Sequence, residues 1–104
     1  MTELENLRDQ LRVFAAERGW RAFHSPKNLS MALSVEAAEL LEHFQWLTEE
    51  QSKQLSPAAL EAVSHEVADV LIYLIELCDV MGIDPIAAAK AKMVLNAQKY
   101  PVAK

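Results

Sequence analysis

The chain has 104 residues, 52% of them hydrophobic, and carries 15 acidic against 10 basic side chains for a net charge of −5. That length holds a single domain, residues 1–104, and the acidic balance repels a polyanion, so nucleic acid is not an expected partner. One cysteine, Cys78, excludes an internal disulfide framework and suits a reducing, cytoplasmic setting.

Glycine and proline are rare and stand at the edges of apolar-periodic segments, which predicts an all-α chain of four helices. The first opens at Thr2, three residues before Glu5 in a capping box, and carries Leu4, Leu7, Leu11 and Phe14 on one face as far as Gly19. Its mixed charges, Glu3, Glu5, Arg8 and Asp9, are unlike a secretory signal. Ser25 and Pro26 cap and open the second helix, which runs through Leu29, Leu33, Ala37, Leu40, Leu41, Phe44 and Leu47. The polar connector 48–55 carries no functional signal. Ser56 and Pro57 repeat the device for a third helix through Met81, stopped by Gly82. Its most apolar run, Val70 to Met81, is broken by Glu76 and Asp79 and is too short to span a bilayer, so no membrane association is expected. Asp84 and Pro85 start the fourth helix, which Pro101 ends.

The second and third helices, at roughly 20 residues or more, would each be ~30 Å long, the diameter of a small domain. Apolar residues surround much of the third (Val63, Val67, Val70, Leu71, Ile72, Leu74, Ile75, Leu77), a wider band than a surface helix needs. A homo-oligomer that buries the second face follows as an expectation.

Two acidic motifs sit inside these apolar helices: Glu36-Ala-Ala-Glu39 and Glu66-Val-Ala-Asp69. Residues three apart share a helical face, so each motif directs two carboxylates toward one point, and two packed helices offer four. Such a cluster repels itself unless a cation holds it. The donors are hard oxygens with no Cys or His among them, which selects Mg²⁺ or Mn²⁺ over Zn²⁺, and a di-iron bundle would want Glu-x-x-His instead. A solvated helix face is the plain alternative for any one such motif.

On the fourth helix, Lys92, Asn96 and Tyr100 recur every four residues and form a stripe suited to phosphate, or else an ordinary solvated C-terminal face. Trp20, Phe23 and His24 before the second helix, and Phe44 and Trp46 at its end, could stack a base or simply bury area. His43 and His65 flank the acids and read as hydrogen-bonded or exposed rather than as ligands.

Taken together, the segments Phe14-Ala-Ala-Glu-Arg-Gly-Trp20, Phe23-His-Ser-Pro-Lys-Asn-Leu29, Glu36-Ala-Ala-Glu39 through Phe44-Gln-Trp46, Glu66-Val-Ala-Asp-Val-Leu-Ile-Tyr73 and Lys92 through Lys99-Tyr-Pro101 resemble the MazG-like all-α nucleoside triphosphate pyrophosphohydrolases, in particular the dCTP pyrophosphatase branch. The resemblance spans nearly the whole chain. It implies a four-helix protomer assembling into a homotetrameric helical bundle, a dimer of dimers, with sites completed by neighbouring subunits. It assigns Glu36, Glu39, Glu66 and Asp69 as Mg²⁺ ligands, Trp20, His24 and Trp46 to the nucleoside pocket with Tyr73 nearby, and Lys92, Asn96 and Tyr100 to the phosphates.

The implied activity is Mg²⁺-dependent hydrolysis of a nucleoside triphosphate, dCTP or modified dCTP, to monophosphate and pyrophosphate, with Glu36 or Glu39 as the catalytic carboxylate that activates water. Leu11 replaces a base-side histidine of animal members, Gly19 and Lys27 replace their Asp and Arg, and the connector after Trp46 is shorter, which leaves base choice open. Hydrolysis of dUTP or another non-standard triphosphate, a nucleotide sensor without turnover, and a non-catalytic assembly module are the competing readings.

Overall fold

In the computed structural model, which describes residues 1–103, a helix forms wherever a capping side chain meets an apolar-periodic run. The helices are α1 Glu3–Glu17, α2 Pro26–Glu42, α3 Glu49–Ser52, α4 Pro57–Met81 and α5 Pro85–Lys99, with a 3₁₀ turn at Arg21–Phe23. No strand occurs among the described residues. The four expected helices correspond to α1, α2, α4 and α5.

Their starts follow from local chemistry. Thr2 and Glu5 form the reciprocal box, the Thr2 hydroxyl accepting from the Glu5 N–H at 3.1 Å. Ser25 and Ser56 accept from the Asn28 and Ala59 N–H groups, and Asp84 accepts from those of Ile86 and Ala87. Proline occupies the first turn of α2, α4 and α5, where its missing N–H costs nothing. Gly19 and Gly82 both take φ of +67°, the left-handed conformation that lets the chain leave α1 and α4. At the second of these, the Ile83 N–H donates back to the Cys78 carbonyl at 2.9 Å.

Two elements differ from the expectation. α2 ends at Glu42 rather than continuing through Leu47. There the bonding tightens to three-residue spacing, His43 N–H to Leu40 and Phe44 N–H to Leu41, and the chain turns out of the helix. The connector 48–55 holds the one-turn helix α3, because Thr48 and Gln51 form a second capping box.

α2 packs along α4, α1 lies more lightly against α4, and α5 packs appreciably on none of them. The Arg12 guanidinium ties α1 to α4, its Nε donating to Asp79 Oδ2 at 2.8 Å. The buried hydrophobic core is thin: Ala15, Leu29, Ile75 and Cys78. The accessible surface is 8099 Å², where a compact monomer of this mass would show about 5,800 Å². The radius of gyration, 16.8 Å, likewise exceeds the ~13 Å of a compact chain of this length. One protomer is an open arrangement of helices with apolar faces uncovered. No helix among the described residues is long and apolar enough to cross a membrane.

Candidate active site

The packing of α2 on α4 brings the two acidic motifs face to face. One carboxylate oxygen from each of Glu36, Glu39 and Glu66 lies within 4.8 Å of the others. Asp69 falls outside that tight group, but its charge reaches Glu36. Neither Lys nor Arg pairs with any of the four acids among the described residues. The Oε2 atoms of Glu36 and Glu66 are buried without a hydrogen-bond donor. A carboxylate in that position has lost its water and gained only like charge. The result is visible at Glu36, whose pKa is pushed up to about 7 by burial first, then by the adjoining Glu39 and Glu66 carboxyls and the charges of Glu39 and Asp69.

Three hard oxygen donors converging on one point, two of them with orphaned oxygens, fit a divalent cation of the Mg²⁺ type, which prefers carboxylate ligands. A cation would do for this cluster what a retained proton on Glu36 otherwise does.

Tyr73 stands one helical turn beyond Asp69, half-buried. Its hydroxyl pKa is raised by burial and then by the charges of Glu76, Glu36 and Asp69, which locates the phenol along the acidic face. His24 comes in from the turn before α2, its Nε2 3.8 Å from Glu76 Oε2. Trp20 is 47% exposed and meets Phe14 edge-on at 5.7 Å between ring centres, and Trp46 is 86% exposed. Lys92 and Asn96 stand exposed on α5 and Tyr100 just past its end, on a helix that packs appreciably on neither α2 nor α4. The single chain therefore assembles the acids and Tyr73, sets His24 farther along α4, and leaves both tryptophans and the α5 stripe facing solvent.

Glu76 and Asp79 were legible only as interruptions of an apolar run. The structure gives Asp79 the Arg12 guanidinium, which holds its carboxyl below the usual range, and sets Glu76 against His24. For Glu76 the available signal was spacing, since 69, 73 and 76 fall on one helical face.

Comparisons with known proteins show which family the chain falls in. The MazG-like family model matches residues 31–104, a span that contains all four acids, α4 and α5. The chain is 42% identical to dCTP pyrophosphatase 1 of Bos taurus over 95% of its length and 44% identical to that of Mus musculus over 95%. It spans about 60% of the length of these curated relatives. A crystal structure of a pyrophosphatase from Archaeoglobus fulgidus superposes with a TM-score of 0.86 at 47% identity, covering 98% of this chain and 95% of that one.

Proposed function

The chain belongs to the MazG-like family, and from that premise we propose that it is a Mg²⁺-dependent nucleoside triphosphate pyrophosphohydrolase acting on dCTP or a modified dCTP. The observation that carries the reading is the acid cluster of α2 and α4, with its uncompensated buried oxygens on Glu36 and Glu66. The names of the relatives, dCTP pyrophosphatase 1 and a pyrophosphatase, support the reaction class.

Glu36, Glu39, Glu66 and Asp69 would hold Mg²⁺, with Mn²⁺ as a substitute. Bound there, the cation supplies charge neutralisation and polarisation at the triphosphate oxygens. Glu39 or Glu36 orients water toward the α phosphorus and takes its proton, and the products are nucleoside monophosphate and pyrophosphate. Tyr73, with Trp20, His24 and Trp46, takes the nucleoside, the exposed indoles offering faces on which a base can stack. Lys92, Asn96 and Tyr100 contact the phosphates and supply the cation that the acidic face lacks.

Because α5 packs appreciably on neither acid-bearing helix of its own chain, we assign that contact to a second copy. Met93, Val94 and Leu95 beside the stripe are 70%, 60% and 56% exposed, an apolar surface that a homo-oligomer, here a tetramer, would cover. The free, buried thiol of Cys78 suits the reducing cytoplasm.

The test is pyrophosphate and monophosphate release from a panel of canonical and modified nucleoside triphosphates, with Mg²⁺ and with EDTA. Metal-dependent release of both products, fastest from cytosine nucleotides, is expected. Absence of turnover of every triphosphate would reject the reading.

A further inference from the structure

Glu66, Asp69, Tyr73 and Glu76 follow one another on α4 at spacings of three, four and three, which places them on one face. Asp69 and Glu76 are ~10.5 Å apart along the helix, a length that a nucleoside spans when its phosphates lie at the acids. Tyr73 links the two ends, since the charges of Glu36, Asp69 and Glu76 all bear on its hydroxyl. Beyond Tyr73, Glu76 lines a cleft between α1 and α4 whose walls include Leu11, Ala15, Arg21, His24 and Ile75.

The Glu76 side chain is only 15% exposed, yet its carboxylate accepts no hydrogen bond among the described residues. Its one ion-pair partner there, His24 Nε2, stands at 3.8 Å, beyond hydrogen-bond reach. The Arg12 guanidinium of the same cleft is committed to Asp79. The Glu76 oxygens are not cut off from solvent as the Oε2 atoms of Glu36 and Glu66 are, so water serves this sheltered carboxylate until a ligand that brings an N–H takes its place.

We propose that Glu76 is a specificity-determining residue that accepts a hydrogen bond from the exocyclic amine of the base and so favours amino over keto pyrimidines. The inference rests on the nucleotide-hydrolysing reading above and adds a residue and a selection rule to it. An ionised carboxylate is an acceptor only. It pairs with the 4-amino group of cytosine and sets lone pair against lone pair at the 4-keto oxygen of uracil or thymine.

The experiment is kcat/KM for dCTP and for dUTP in the wild type, Glu76→Gln and Glu76→Ala. Assays are run at about pH 8 to favour the ionised carboxylate against the upward push that burial gives its pKa. The dCTP/dUTP ratio is expected to fall roughly tenfold or more in both variants. The amide of Glu76→Gln keeps the side-chain volume and can donate to a keto oxygen, so the test stands even if Glu76→Ala unfolds. A residue that only holds His24 in place would lower both substrates alike, and an unchanged ratio in Glu76→Gln overturns the proposal. Should the wild type turn over no triphosphate, the functional reading fails separately. The same ratio is then read from the Kd of dCMP against dUMP by calorimetry, where equal discrimination in the wild type and variants, or no binding of either, overturns the proposal.

Discussion

The acidic faces of α2 and α4 and the basic stripe of α5 are carried by helices begun by the same device, a capping side chain followed by proline. α2 and α4 pack on each other and bring Glu36, Glu39 and Glu66 within a few ångströms, at the cost of two buried oxygens without donors. α5 carries Lys92 and Asn96 with its apolar residues in solvent. One region holds anionic groups in need of a cation, the other cations and apolar surface in need of a neighbour. Under the proposed function, the difference divides the site: the chain brings its acids together alone and leaves the phosphate contacts of α5 to a second copy.

The sharpest way to break this comparison is at the acids. Glu39→Gln should keep the helical circular dichroism of the wild type and lose turnover by about a hundredfold or more. Retained turnover would remove Glu39 from the mechanism. On the α5 side, Lys92→Ala should lower kcat/KM about tenfold or more while leaving Mg²⁺ binding by calorimetry unchanged, because the role proposed for Lys92 is to meet phosphate and not metal. A joint loss of metal binding would show that the two regions are not separable.

A pH series sharpens the account of the acids without substrate. Glu36 has a folded pKa of about 7 against an ordinary 4.5. The folded metal-free chain therefore binds that proton more tightly than the unfolded chain, and its contribution to stability is full below 4.5 and declines as pH rises to about 7. Metal must displace the same proton, so the rise in Tm on adding Mg²⁺ should be larger at about pH 8 than at about pH 6. Equal rises at both would remove Glu36 from the ligand set.

The smallest effect is expected away from both regions, at the tie between α1 and α4. Asp79 is held below its ordinary 3.8 chiefly by the Arg12 hydrogen bond. That pairing contributes stability above this value and loses it as pH falls through the folded pKa. The Arg12 side chain is half-exposed while that of Asp79 is mostly covered, so the pair is partly screened by solvent and Arg12→Ala should lower Tm by a few degrees at neutral pH, measured by thermal melting.

Much of the fold was legible because its boundaries are local: Thr2, Ser25, Ser56 and Asp84 with their following residues write each helix start. The end of α2 was not, because the apolar period continues to Leu47 while the chain has already turned at His43, and periodicity records burial rather than bonding. α3 was readable from Thr48 and Gln51 but is a single turn. The acids were legible as a repeated pair of motifs. Arg12 with Asp79, and His24 with Glu76, were not, since each pair joins distant parts of the chain. The apolar residues of α5 announced that something covers them without saying what.

The most direct test of a site shared between copies is complementation. Glu39→Gln and Lys92→Ala chains, each impaired alone, are co-expressed, purified as mixed oligomers and assayed for Mg²⁺-dependent pyrophosphate release. If acids and Lys92 come from different copies, the mixed oligomer contains some sites with both wild-type parts, and activity well above either parent returns. Mixed oligomers no more active than the better parent would place Lys92 on the acids of its own chain and contradict the account.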